Sequence, residues 1–516
     1  METKTYENIP KEKFQFAKKS DLTHDTKLDT KPVGYLHDAF RRFCKNKGAV
    51  VGAIIIIFLV LFALITPLCT PYAVDTNNGE FKATLPKAKL FAKTSFWDGC
   101  KNETNNVYTF TYYYAMGEET GHNAIKNQKY TLREDGLYEY RLDSYYKRGA
   151  MYVNLEMDKY AALQAYQDEY GVQVIYPTLK LSDRPSAPQD ANDANYYYKT
   201  TKQGSKTVPV FDANGKITPA YWTYTEAEKE YYTDYTSKMH IEGDGENGVY
   251  YCYARPTSSG VECRVNYYEY YIYQHKMVYQ DGINEPYFLF GTTGSGQDIL
   301  TCLASGARFS FIFAIAVAAV NLFVGAIYGS IAGYYGGKID LVMERVADIL
   351  AAVPFMIVIT LLKLHMHASS QILILFIAFF LTGWISMAGT TRMQFYRFKN
   401  QEYVLAARTL GARDRRLMFK HIFPNAIGTL VTSCALVIPG MIYSETNLSY
   451  LGIINLEAGK ITSVGTLIAA GQAVLSSAPH VAMFPSLFLA LLMLTFNLFG
   501  NGLRDAFNPS LRGSEG

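Results

Sequence analysis

Apolar residues in this chain are gathered into a few long runs separated by polar stretches. A helix rises about 1.5 Å per residue, so about 20 apolar residues are needed to cross about 30 Å of hydrocarbon. The run at 49–68 meets that length without a charge. Five more follow near the C-terminus, at about 309–331, 342–362, 371–391, 426–446 and 481–501, and predict six transmembrane helices in all. The third of the six carries Glu344, Arg345 and Asp348 in its expected first turns. A charge there can sit at the interface, where it costs less than at mid-membrane. The first run reads as an anchor rather than a signal peptide. Its polar leader is too long, no small-x-small site follows, and Thr66, Pro67 and Leu68 before Cys69 make a poor lipoprotein box.

Between the first and second runs, residues 70–300 hold no spanning segment and are rich in Tyr, Asn, Asp, Gly and Lys. Alternation over Tyr138, Glu139, Tyr140, Arg141 and Leu142 predicts a half-buried strand, and Asp135-Gly136 before it is a hairpin signal. Residues 157–170 (MDKYAALQAYQDEY) predict an amphipathic helix closed by Gly171. The 182–195 stretch, with Pro185 and Pro188, reads as a loop. The expectation is an inserted α+β domain large enough to bury its own core.

Composition adds less. A mean hydropathy near zero averages greasy spans with a polar insertion, and a net charge of +3 gives no argument for nucleic acid. The distribution of charge is more telling, because cytoplasmic flanks collect Lys and Arg. Arg41, Arg42, Lys45 and Lys47 precede the first run. The 392–421 segment carries eight basic residues against Glu402 and Asp414, whereas the expected outer loops offer only Lys363 and Lys460. Both termini are therefore expected in the cytoplasm, in a multi-pass plasma-membrane protein whose 70–300 block is extracellular. The organisation expected is a tail at 1–48, a first span at 49–69, the insertion at 70–300, and a permease-like core at 301–513.

Seven cysteines exclude a disulfide framework. Cys252 and Cys263, in the insertion, read either as a bridge or as two free thiols. Candidate chemistry is scarce. Gly291 to Gly296 has phosphate-loop glycine spacing, but Gln297 and Asp298 replace the Lys and Ser/Thr that would hold phosphate and magnesium. No nucleotide, cofactor or metal site is expected. His365 and His367 flank Met366, yet two ligands rarely hold a metal. Asn102-Glu103-Thr104 fits a glycosylation triplet that is short enough to arise by chance. Gly325, Gly329 and Gly333 recur every four residues, a stripe that lets another helix approach closely, either within the chain or on another subunit.

The most patterned segment is 392–425. Residues 403–411 (YVLAARTLG) predict a helix of small and apolar residues ending at Gly411. Residues 413–422 (RDRRLMFKHI) predict a second, basic helix with Pro424 at its end. Such a pair makes a compact knob, and Ala406 and Ala407 would let it fit closely into a cleft. A charged loop that only fixes topology would not need that spacing.

The segment resembles the Glu-Ala-Ala loop of importer-type ABC permeases, in which Ala406, Ala407, Gly411 and Pro424 match at the family spacing. Leu405 stands where the family has Glu, with Glu402 one turn earlier, and His421 and Phe423 replace the usual Ile and Leu. Further stretches resemble the "C" permeases of oligopeptide, dipeptide and nickel importers. These are 290–300 (FGTTGSGQDIL), 306–310 (GARFS), 333–337 (GYYGG), Asp348 with Pro354, 445–452 (ETNLSYLG), 496–505 (FNLFGNGLRD) and 508–512 (NPSLR). The resemblance covers about 36–72 and 286–513. It implies an α-helical polytopic membrane protein with the type I importer permease fold, and a transport subunit rather than an enzyme. It further implies a second permease subunit, two ATPase subunits that bind the ATP, an extracellular solute-binding lipoprotein, and a peptide substrate. Glu402, Ala406, Ala407, Gly411 and Pro424 would then form the ATPase-coupling loop. Peptide is favoured over nickel because the spans hold no cluster of His, Cys or carboxylate. The rival from another class is a membrane-anchored receptor or adhesin whose outer domain carries the function.

Overall fold

The computed structural model describes residues 35–75, 78–91, 94, 96–178, 200–217, 221, 223–235, 240–245, 249–366, 370–454, 456 and 462–507. The 182–195 stretch, His367, Lys460 and the 508–512 motif lie outside them.

A short amphipathic helix, α1 (Tyr35–Lys45), precedes the first span, α2 (Lys47–Cys69). Asn46 separates them and caps α2 by accepting a hydrogen bond from the Ala49 N–H at 3.2 Å. After α2 the chain enters the inserted domain. Its elements are β1 (Cys100–Asn105), α3 (Val107–Thr120), β2 (Ile125–Leu132), β3 (Tyr138–Asp143), β4 (Ala150–Leu155), α4 (Met157–Tyr170), β5 (Ile175–Tyr176), β6 (Thr200–Gln203), β7 (Lys206–Pro209), β8 (Thr223–Tyr224), α5 (Glu226–Tyr235), β9 (His240–Gly245), β10 (Val249–Thr257), β11 (Gly260–Asn266) and α6 (Tyr267–Tyr273). They form an antiparallel sheet β1-β3-β2, a larger sheet β4-β11-β10-β8 with β5 on β11 and β9 on β10, and the hairpin β6-β7.

The predicted strand and helix fall where the pattern places them, in β3 and α4. At the β2–β3 turn Asp135 Oδ1 accepts from the Leu137 N–H at 3.1 Å, and Gly136 takes the left-handed conformation at φ +83°. Tyrosine is core material here. Phe110 of α3 stacks on Tyr138 of β3 at 4.1 Å, and Tyr267 and Tyr271 bury their rings against Phe81. Arg264 of β11, fully buried, makes two 2.8 Å bonds to the two carboxylate oxygens of Glu119 and ties the larger sheet to α3. A bidentate pair holds such a buried charge. The bridge between Cys252 and Cys263 is not formed. Both are free and buried, and the register sets Ala254, not Cys252, opposite Cys263.

The chain returns through α7 (Ile299–Tyr335), a helix broken into α8 (Gly337–Ala351) and α9 (Phe355–His365), then α10 (Gln371–Phe398), α11 (Glu402–Thr409), α12 (Asp414–Arg416), α13 (Phe423–Tyr450), α14 (Val464–Ala473) and α15 (His480–Phe507). Among the described residues five helices are long and apolar enough to span, and six if the α8–α9 pair, bent by 71°, is one span. The third span is thus broken, and it starts at Gly337. Arg345 and Asp348 therefore lie well past its first turns.

The glycine stripe faces inward, against this chain's own α10. A Cβ at Gly325 would come within 2.7 Å of the Trp384 carbonyl, and one at Gly333 within 2.7 Å of the Arg392 carbonyl. Gly329 likewise sits against the Ala388 carbonyl. Small residues let the two backbones meet closely, which favours association where lipid offers no hydrophobic drive.

The phosphate-like loop is a structural joint. Asp298 caps α7, accepting from the Thr301 N–H at 2.9 Å, and Gly296 lies against the Asn78 backbone where a Cβ would not fit. Nearby, Phe290 and Phe484 stack on each other at 4.3 Å, Trp97 lies beside the pair with its ring nearly parallel to both, and its indole N–H donates to the Leu289 carbonyl at 2.6 Å. These contacts seat the inserted domain on the N-terminal ends of α7 and α15. At the other end of the bundle Phe43 of α1 meets Phe499 edge-on, and Ala49 packs on Gly502.

Candidate coupling site

The knob between α10 and α13 lies at that second end, opposite the inserted domain. Its first helix is α11. Gln401 precedes it in extended conformation, and Glu402 in the first turn complements the helix dipole. Its end is a Schellman turn. The Ala412 N–H donates to the Ala407 carbonyl at 3.1 Å and the Gly411 N–H to Arg408 at 3.0 Å, with Gly411 at φ +81°. Glycine adopts that backbone at no steric cost.

The second segment differs from expectation. Asp414–Arg416 is α-helical, residues 417–422 form a π turn, and the chain runs straight into α13. Pro424 does not end a helix; it lies in the first turn of α13. Proline is tolerated there because the N–H it lacks would go unpaired at a helix start, and the π turn already shifts the hydrogen-bond ladder.

The knob is pinned to the bundle by its own small core. Val404, Leu417, Met418 and Ile422 are buried with Phe395 of α10 and Tyr334 of α7, and Ala407 and Ala412 pack at the edge. The Tyr334 hydroxyl donates to Asp414 Oδ1 at 2.6 Å, and Arg408 lies over the same ring. The Lys399 ammonium donates to the Gly333 carbonyl at 2.9 Å, tying the knob to the end of the glycine stripe. Asn425 donates to the Tyr403 hydroxyl at 3.2 Å, closing α11 onto α13. The knob is thus fixed to the C-terminal ends of α7 and α10.

Its outer face carries what the core does not use. Leu410 is 89% exposed, Phe419 50% and Leu405 43%, set among the exposed Glu402, Ala406, Arg408, Arg413, Arg415 and Arg416. Exposed apolar side chains among charges make this segment a candidate interaction surface. Of the sequence-selected residues, Glu402 and Ala406 lie on this face, Ala407 turns toward the core, Gly411 makes the turn, and Pro424 lies apart at the root of α13. Pattern reading passed over Leu410, the most exposed of these, and the Tyr334–Asp414 latch. The adjoining Gly411 and the Tyr334-Tyr335 pair of the 333–337 motif were the available signals.

Residues 325–513 match the model of the binding-protein-dependent transport system inner membrane component, and residues 34–86 match the N-terminal transmembrane domain of oligopeptide transport permease C. Neither match reaches residues 87–324. The oligopeptide transport system permease protein OppC of Bacillus subtilis is 44% identical over 43% of this chain and 72% of its own length. The dipeptide transport system permease protein DppC of the same organism is 37% identical over 43% of this chain and 69% of its own. Among solved structures, an amino acid ABC transporter crystallised with histidines is 15% identical, over 37% of this chain and 88% of that one. Its TM-score of 0.29 is too low to establish a shared fold. The chain belongs to the oligopeptide and dipeptide permease C family of binding-protein-dependent inner membrane components, whose members are transport subunits rather than enzymes.

Proposed function

We propose that this chain is one of two membrane subunits of an ATP-driven importer for short peptides. The names of its relatives support the substrate class. The observation that carries the coupling role is the knob, which is fixed to α7 and α10 on one side and presents Leu410, Leu405 and Phe419 on the other. A rigid apolar projection with a charged rim suits docking into a cleft on a soluble ATPase. Closure of two such ATPases, which bind and hydrolyse the ATP, pulls the 402–424 knobs, and the helices rock to expose the path alternately to each side. The chain itself makes and breaks no bonds and carries no cofactor.

In this reading the knob end and both termini are cytoplasmic, in keeping with the basic residues of 392–421. The inserted domain is extracellular and stands at the outer mouth, where it meets the solute-binding lipoprotein. The test is reconstitution in liposomes of the permease pair with its ATPases and lipoprotein, followed by uptake of labelled tri-alanine. ATP-dependent uptake that disappears when this chain is omitted is the expected result. Uptake that persists without it overturns the reading.

A further inference from the structure

The broken span carries charge on two sides. On its inner side Asp340 and Glu344 hold Arg392 of α10, with Asp340 Oδ1 accepting from Arg392 Nε at 2.6 Å and Glu344 3.1 Å from the same guanidinium. Arg345 and Asp348 turn away from the bundle. Arg345 Nη1 donates to Asp348 Oδ2 at 3.0 Å, and the side chains are 67% and 56% exposed. Their depth follows from neighbours. The Tyr328 hydroxyl donates to the Met343 carbonyl at 2.5 Å, and the Tyr328 ring packs at 4.7 Å on Trp384, halfway along α10. Past the break Phe355 packs at 4.9 Å on Phe379. Residues 345 and 348 lie between these two levels, in the middle of the bundle's thickness. Charges that face hydrocarbon at that depth are costly, and intramembrane charges nearly always face protein or a water-filled cavity.

The backbone gives a second, independent sign. Residues 352–354 interrupt the span with a 71° bend, and all three are exposed. Non-helical backbone at membrane depth is tolerated where it is covered by protein or lines water. Broken helices of this kind often mark a transported substrate's site. A short peptide, whatever its side chains, carries one ammonium and one carboxylate. A cation and an anion side by side offer a partner to each and can re-pair when the peptide leaves.

Resting on the peptide-permease reading above, we propose that Arg345 and Asp348 face the hydrated path taken by the peptide. There Arg345 receives its terminal carboxylate and Asp348 its terminal ammonium.

The first test uses the assembled transporter in liposomes, with Arg345→Cys or Asp348→Cys in a background free of other reactive thiols. A charged, membrane-impermeant methanethiosulfonate should label both positions, and saturating tri-alanine should slow labelling several-fold. Labelling by N-ethylmaleimide alone would place the pair against lipid and overturn the proposal. Labelling by the charged reagent that tri-alanine does not slow would overturn the peptide contact. A second readout separates recognition from a structural role. Arg345→Met should raise the KM for tri-alanine by about tenfold or more, the scale of a lost charged hydrogen bond. The penalty for amidating the tri-alanine carboxyl should shrink in that variant. An undiminished penalty contradicts the assignment. Wild-type transporter that fails to take up tri-alanine overturns the peptide reading itself, while thiol labelling still reports whether this face is wet.

Discussion

Replacing Leu410 with Asp separates folding from docking. Leu410 is 89% exposed and lies outside the knob's core of Val404, Leu417, Met418 and Ile422. A substitution at such a site changes stability by about 0.5 kcal/mol or less, plus a few tenths for a carboxylate near the C-terminus of α11. If Leu410 seats in an ATPase cleft, burying it there contributes about 1.5–3 kcal/mol. The variant loses that contribution and also places an unpaired carboxylate in the same cleft. A loss of about 3 kcal/mol weakens engagement by roughly a hundredfold. The assay is peptide uptake and peptide-stimulated ATP hydrolysis in liposomes, with thermal melting of the purified chain in parallel. Uptake should collapse while the melt stays within a degree or two, and Leu410→Met should behave as wild type. Normal uptake by Leu410→Asp would refute the reasoning, and so would a large fall in melting temperature.

Gly411→Val probes the same element through the backbone. At φ +81°, with open space around it, the substitution costs about 1–2 kcal/mol of conformational strain and no clash, so transport should fail while membrane insertion is kept. Unchanged uptake would count against the knob. Gly329→Leu drives a side chain into the Ala388 carbonyl and should destabilise the α7–α10 pair by about 1–3 kcal/mol, seen as a lower melting temperature in detergent. In the inserted domain, burial alone would raise the pKa of Asp98. Lys126, the Cys100 N–H and Arg141 outweigh it and hold the carboxyl below its ordinary value. Its stabilising contribution is therefore full above about pH 4 and is lost as pH falls through the depressed value. The Asp98→Asn variant should lose that part of the acid dependence of melting. Burial pushes the Cys263 thiol up to about 12, and Cys252 is also buried, so maleimide should label neither until denaturant is added.

The bilayer makes spans legible, because it fixes their length. All six apolar runs correspond to helices, but their ends were set by contacts that hydropathy does not register. The second span begins ten residues early because Asp298 caps it, and the third breaks at Pro354. The helix α14, ten residues long, falls below any spanning window. Local signals also served in the insertion, as at Asp135-Gly136 and residues 157–170. The pairing of β4 with β11 was not legible, since it joins segments separated by more than a hundred residues through register alone. In the knob, Gly411 was readable from its left-handed turn. Pro424 misled because proline at the start of a helix and proline after its end look alike in sequence. The knob's outer face was hidden because exposure of Leu410 is a tertiary property. The depth of Arg345 and Asp348 was likewise invisible, since the run's apolar start at 342 placed them too near the interface.

The central claim is that the 402–424 knob receives motion from another polypeptide. It is tested most directly by a photo-crosslinking residue at position 410 in the intact membrane, with the adduct identified by mass spectrometry. The account predicts a covalent adduct to a soluble ATPase subunit. An adduct only to lipid, to an external protein or to nothing at all would contradict it.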